Sequence, residues 1–268
     1  MDVIGHRASD RLEPARPAKR DMALEAAIAA CAIRLNFQPQ IDVASDRMVG
    51  VEALARWQAE PSSEFMFARA AAAGLGERLS RHVQASAIAT AACWDGPLAN
   101  VRLSLNCVAA DLARPNYGQW LIAECSRVGL DPSRLTLEIT ESSLVIDRKL
   151  AAAKLGWLRQ WGVKIAIDDF GTGYANLPYL TALPLDSLKL DCELIAGLGD
   201  ERSRIVVRAM IEMARDLGLE TCAEGVETLK QRDLLAEWGC TTMQGYLFAP
   251  ALNERDLANF IGIQTVAV

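Results

Sequence analysis

From Asp21 onward, short β-rich runs alternate with longer stretches whose apolar positions recur every three or four residues. That alternation is the mark of strands interleaved with helices. The strand-like runs fall near 34–42, 48–55, 100–107, 135–141, 163–168, 186–191, 219–224 and 241–248. Helical patterns span Glu77 to Trp94, Tyr117 to Val128, Asp147 to Trp161, Arg202 to Leu217, Thr228 to Trp238 and Asn253 to Ile261. An uninterrupted strand–helix alternation predicts an α/β fold with a parallel sheet, and eight strands suit a closed TIM-like (β/α)8 barrel. The run Leu135-Thr-Leu-Glu-Ile-Thr-Glu141 alternates apolar and polar positions. One side would face the helices and the other the barrel axis, with Glu138 pointing inward. An open doubly wound sheet is the alternative, but it calls for a Gly-rich turn after its first strand, and no G-x-G-x-x-G lies there.

The 268 residues fit one barrel, which commonly takes about 250 residues as a single domain. Residues 1–20 carry Pro14, Pro17 and five basic side chains with almost no large apolar ones, and are expected to form a flexible tail before a domain at 21–268. Hydrophobic residues at 51% supply a core, while a net charge of −6 offers DNA or RNA duplexes no general attraction. A small anionic ligand stays admissible, because bound cations can supply positive charge locally. Seven cysteines without a C-x-x-C pair read as small core residues in a reducing compartment. With no secretion signal and no membrane-length apolar run, the expected location is cytoplasmic and away from membranes.

Strand after strand ends on an oxygen-bearing or cationic side chain: Glu52, Asn106, Glu138, Asp168 and Asp169, Lys189, Glu224, and Gln244. In a barrel these gather at the C-terminal rim, where active sites of the fold lie. Taken singly, a strand Glu is more often half-exposed than a ligand, and Lys189 reads as a solvated lysine. Recurrence at one end of successive strands outweighs those separate readings. Five acids cannot share a dry pocket without cations. An all-oxygen donor set suits magnesium or manganese, whereas zinc prefers His and Cys. The two histidines, His6 and His82, fall in the tail and in a helical stretch. Adjacent Asp168 and Asp169 could both reach metals where the strand ends, one of them bridging two ions about 4 Å apart.

The motifs Glu52-Ala-Leu-Ala-Arg-Trp57, Ser-Leu-Asn106, Leu137-Glu-Ile-Thr-Glu-Ser142, Asp168-Asp-Phe-Gly-Thr-Gly-Tyr174, Leu188-Lys-Leu-Asp191, Ala223-Glu-Gly-Val-Glu227 and Gln244-Gly-Tyr-Leu-Phe248 resemble the EAL family of cyclic-di-GMP phosphodiesterases. The resemblance runs from Phe37-Gln38-Pro39 to about Phe248. It implies a β/α barrel that hydrolyses c-di-GMP to linear pGpG with two magnesium or manganese ions. Carried across, Glu52, Asn106, Glu138 and Asp168 match the ligands of one metal, and Asp168 and Asp169 serve the second. Lys189 and Glu224 match the groups that orient and deprotonate the attacking water, supported by Glu227 and Gln244. Gln38, Leu54 and Arg56 match substrate contacts, and Glu141 matches an acid anchoring the loop after Asp169, through which a homodimer is expected. Calcium should inhibit, since it accepts the same oxygens at about 2.3–2.6 Å in looser geometry. Two departures stand out: a shortened turn after Trp57 leading to an alanine-rich helix, and a displaced proline at Pro250. The competing reading is a catalytically weak or inactive c-di-GMP receptor module.

Overall fold

The computed structural model describes residues 20–140, 148–171 and 177–266. The expected tail therefore lies outside the described residues, Arg20 excepted. Eight strands close into a barrel in chain order. They are β1 (Arg34–Asp42), β2 (Arg47–Arg56), β3 (Arg102–Cys107), β4 (Leu135–Thr140), β5 (Lys164–Phe170), β6 (Ser187–Leu190), β7 (Glu220–Ala223) and β8 (Thr242–Met243).

The sheet is not wholly parallel, as the sequence pattern had suggested. β1 pairs antiparallel with β2 on one side and with β8 on the other, and only β2 to β8 run parallel. The cause is local. Residues 43–46 are too few for a crossover, which needs a dozen or more, so the chain makes a hairpin, with Asp46 in the left-handed region at φ 55°. β8 is also shorter than the expected 241–248. Beyond Gln244 the backbone of Gly245 packs directly on that of Val226, where a Cβ would collide, and the strand ends in a turn.

Around the barrel lie α1 (Met22–Ala29), α2 (Ser63–Ala72), α3 (Gly76–Ala92), α4 (Ala109–Ala113), α5 (Tyr117–Val128) and α6 (Arg148–Gln160). They are followed by α7 (Leu177–Ala182), α8 (Cys192–Ala196), α9 (Glu201–Asp216), α10 (Leu229–Trp238) and α11 (Glu254–Val266). Strand periodicity divides the two sides of the wall. Leu103, Leu105, Leu135, Leu137, Ile139, Ile165, Ile167, Leu188 and Leu190 join the helices in the main core. Their alternates Ser104, Thr136, Glu138, Ala166, Ser187 and Lys189 line the barrel interior. A second, smaller core unites α1, α2 and the start of α3 around Leu24, Met66 and Leu79. Four cysteines are buried as expected, but Cys31, Cys93 and Cys192 are exposed. No helix among the described residues is long and apolar enough to cross a membrane.

Candidate functional site

The polar ends of the strands meet where sequence spacing puts them. Asn106 pairs level with Glu138 across β3 and β4, Glu138 with Ala166 across β4 and β5, and Thr140 with Asp168 one step higher. At the centre stands Lys189, only 2% exposed. Its Nζ lies 2.6 Å from Glu224 Oε1, 2.8 Å from Glu138 Oε2, 2.9 Å from Asp168 Oδ1 and 3.5 Å from Glu52 Oε2. Glu52 also accepts from Asn106 Nδ2 and from Gln244 Nε2, each at 2.9 Å. Gln40, which sequence reasoning did not single out, donates to Gln244 Oε1 at 3.2 Å from inside the barrel.

The adjacent aspartates both reach the same cleft because β5 departs from regular geometry. Its pairing with β6 shifts between Ile167 and Phe170, and Asp169 takes a left-handed φ of 55°. That irregularity re-aims one side chain, as bulges beside functional sites do. The Asp169 amide then donates to Asp168 Oδ1 at 3.1 Å. A cleft of about 450 Å³ opens above, lined by Glu52, Leu54, Asn106, Asp168, Asp169 and Glu224. Glu64 and Phe67 of α2 also line it. The sequence reading missed them, although the departure after Trp57 marked their segment.

One ammonium faces five carboxylates, and the imbalance shows in their proton affinities. Burial pushes Glu138 well above the ordinary carboxylate range, with the Glu52 and Asp168 charges adding and Lys189 only partly opposing. Burial likewise pushes Glu224 up to about 8 and Asp169 up to about 6, each against the pull of Lys189. Glu52 is the exception: burial raises it, but Lys189, Gln244 and Asn106 outweigh burial and hold it below its usual value. For Lys189, burial is overcome by Asp168, Glu138, Glu224 and Glu52, which keep it firmly charged. The carboxylates are turned onto this ammonium, and among the described residues no three acidic, histidine or cysteine side chains are placed to hold an ion as they stand. The donor chemistry nonetheless fits hard divalent cations. The set is all oxygen, it carries more negative charge than Lys189 balances, and its excess is relieved only by protons.

The remaining predicted residues are placed less centrally. Gln38 is buried and donates to the carbonyl of Ala249 at 2.7 Å. Arg56, at the end of β2, donates to the Ala55 carbonyl and forms no ion pair among the described residues. Glu227 is exposed at the start of the α10 cap, its own N–H donating to Gln231, with no bond from its carboxylate to the cluster. Glu141 lies outside the described residues. His82 sits on α3, outside the cleft lining, with its pKa lowered by burial.

The EAL domain family model matches residues 21–251. The chain belongs to the EAL domain family. A cyclic di-GMP phosphodiesterase of Pseudomonas aeruginosa is 36% identical over 233 residues, 85% of this chain and 40% of that protein. An uncharacterised protein of Azorhizobium caulinodans is 38% identical, over 82% of this chain and 31% of its own length. The EAL chain thus spans well under half the length of these curated relatives. Among solved structures, the PaMucR phosphodiesterase in complex with c-di-GMP superposes with a TM-score of 0.82 at 33% identity, over 87% of this chain and 97% of that one. Klebsiella pneumoniae BlrP1, solved with c-di-GMP and either calcium or manganese, gives a TM-score of 0.75 at 32% identity, over 82% of this chain and 56% of that one. The EAL triplet itself is Glu52-Ala53-Leu54, which sets Glu52 on Lys189 and Leu54 on the cleft wall.

Proposed function

We propose that this EAL domain hydrolyses cyclic di-GMP to linear pGpG with the help of two divalent cations, magnesium or manganese, lowering the level of this bacterial second messenger. The observation that carries the reading is the five-carboxylate rim gathered around a single buried lysine, opening on a cleft large enough for a nucleotide. Glu52, Asn106, Glu138 and Asp168 would hold one ion, and Asp168 with Asp169 the second. Such ions polarise the phosphoryl oxygens and lower the pKa of bound water. Lys189 and Glu224 orient the attacking water, and Glu224 takes its proton once the surrounding negative field is neutralised. Water oxygen bonds to phosphorus, the bond from phosphorus to the ribose 3′ oxygen breaks, and that oxygen leaves with a proton. Gln244 keeps Glu52 in place, with Glu227 in a supporting role and Glu141 anchoring the loop after Asp169. Arg56, without a carboxylate partner among the described residues, has the planar fork suited to a phosphate, and Gln38 and Leu54 complete the substrate contacts.

The test is incubation with c-di-GMP and magnesium or manganese, followed by separation of the nucleotides. Linear product that disappears in excess chelator, and is suppressed by calcium, is the expected result. Turnover unaffected by chelator would overturn the metal-assisted mechanism, and tight retention of intact ligand would make the domain a receptor.

The same reading places the domain in the cytoplasm, away from membranes and nucleic-acid duplexes, and as a homodimer through the loop after Asp169. An apolar groove of about 450 Å³ runs from Phe170 and Gly171 to Leu194 and Met210, with Leu177, Ile205 and Val206 exposed on its rim. A second copy would cover it. Sedimentation should give a dimer for the wild type and a monomer for Ile205→Glu/Val206→Glu; two monomers would remove the dimer.

A further inference from the structure

The rim end of β3 is held from outside the barrel by a buried polar relay. Gln84 sits on the face of α3 that otherwise packs Leu79, Val83, Ala87 and Ile88 into the core, and it is 2% exposed. A carboxamide in such a place costs stability unless its hydrogen bonds are made. They are. Its Nε2 donates to the backbone carbonyl of Asn106 at 2.9 Å and towards Asp111 Oδ2 at 3.3 Å, and its Oε1 accepts from the Tyr117 hydroxyl at 3.2 Å. Asp111, 1% exposed on α4, in turn accepts from Ser80 Oγ at 2.7 Å, the Val108 amide at 3.3 Å and Arg114 Nη2 at 2.7 Å. Lys154 of α6 donates to the carbonyls of Leu112 and Arg114, so α4 is tied from two sides.

This relay meets Asn106 where ordinary sheet pairing gives out. The β2–β3 ladder stops at Glu52↔Ser104, two residues short of Asn106, which keeps its strand neighbour only on the β4 side. The missing support comes from Gln84. The Asn106 side chain, on the other end of the same residue, donates to Glu52 in the carboxylate cluster. We infer that Gln84, braced by Tyr117 and Asp111, is a positioning residue that sets Asn106 for cation binding from the cleft wall, acting through the Asn106 carbonyl. The inference rests on the proposed role of Asn106 as a metal ligand.

Manganese binding by the full chain, followed by the loss of the free-ion EPR signal, tests it without reference to turnover. Gln84→Met keeps an unbranched side chain of similar length but removes both the donor and the acceptor of the carboxamide. It should weaken manganese binding about 10–100-fold, the usual cost of losing support behind a ligand. In an Asn106→Ala background the same substitution should add nothing, because a residue acting through Asn106 has no path left. Tyr117→Phe removes a single hydroxyl, should weaken binding a few-fold in the same sense, and carries the test should Gln84→Met not fold. Wild-type affinity in both single variants, or an undiminished loss in the Asn106→Ala background, would overturn the positioning role alone. A wild-type chain that takes up no manganese would overturn the proposed function and this role with it.

Discussion

Replacing Lys189 by Met should lower turnover by about 10²–10⁴-fold, the usual contribution of an aligned proton-handling group. It should also destabilise the protein far more in chelator than in manganese. Lys189 is the cation on which Glu52, Glu138, Asp168 and Glu224 converge. Removing one partner from a buried ion pair typically costs about 3–5 kcal/mol, because the remaining charge has neither water nor counter-ion. Here four carboxylates are left behind. They respond by holding protons more tightly, so the deficit in chelator should deepen as pH rises and those protons are stripped away. Divalent cations substitute for the lost positive charge, and the manganese-induced rise in melting temperature should exceed that of the wild type. Thermal unfolding with and without manganese, together with initial rates, decides the matter. Wild-type stability in chelator and near-normal turnover would show that Lys189 neither balances the cluster nor handles the water.

Much of this arrangement was legible in the sequence, for reasons that also explain what was not. Alternation along Leu135–Thr140 encodes which side chains face the axis, and it puts Glu138 among them. The repeated polar strand end gave Glu52, Asn106, Asp168, Lys189 and Glu224 together, because barrel topology converts position along a strand into height along one axis. Periodicity carries no direction, however. The antiparallel course of β1 was readable only from the short gap before β2. The helices α1, α4, α7 and α8 have eight residues or fewer, too few to display a 3.6-residue period. Gln84 left a fainter trace: with Ser80 it forms a polar pair four residues apart on an apolar helix face, and such a pair needs buried partners. Identifying those partners required the fold, since Asp111 and Asn106 approach from two other elements, α4 and β3. Asp169 shows the opposite case, where adjacency to Asp168 implied a break in strand geometry and the left-handed φ supplies it.

Glu138→Gln and Glu52→Gln should both abolish turnover yet move the stability of the metal-free protein in opposite directions. Burial, with the added charges of Glu52 and Asp168 and against the pull of Lys189, drives Glu138 well above the ordinary range and so favours its protonated form. Glutamine is close in shape to that protonated acid and can still accept from Lys189 through its oxygen. Glu52 is held below the ordinary range and accepts from Asn106 and Gln244 as well as Lys189. An amide there exchanges an acceptor for a donor and leaves a buried polar group unpaired, at about 1–3 kcal/mol. The pH dependence separates the two further. A carboxyl raised by folding stabilises the protein below its unfolded pKa and loses that contribution as pH rises through the folded value. Asp169 at about 6 and Glu224 at about 8 act in the same sense as Glu138, so wild-type stability in chelator should fall between the unfolded carboxylate values near 4 and about pH 8. Glu138→Gln deletes one of these titrations, so its curve should be flatter and lie above wild type at pH 8. Glu52 contributes in the reverse sense, present above its unfolded pKa and lost as pH falls through its depressed folded value. Glu52→Gln should therefore lie below wild type at pH 8, with the gap narrowing on acidification. Unfolding midpoints in chelator from about pH 3 to 8.5 measure both curves, and Glu138→Gln melting below Glu52→Gln at pH 8 would mean that the charge in this cluster rests on the other glutamate.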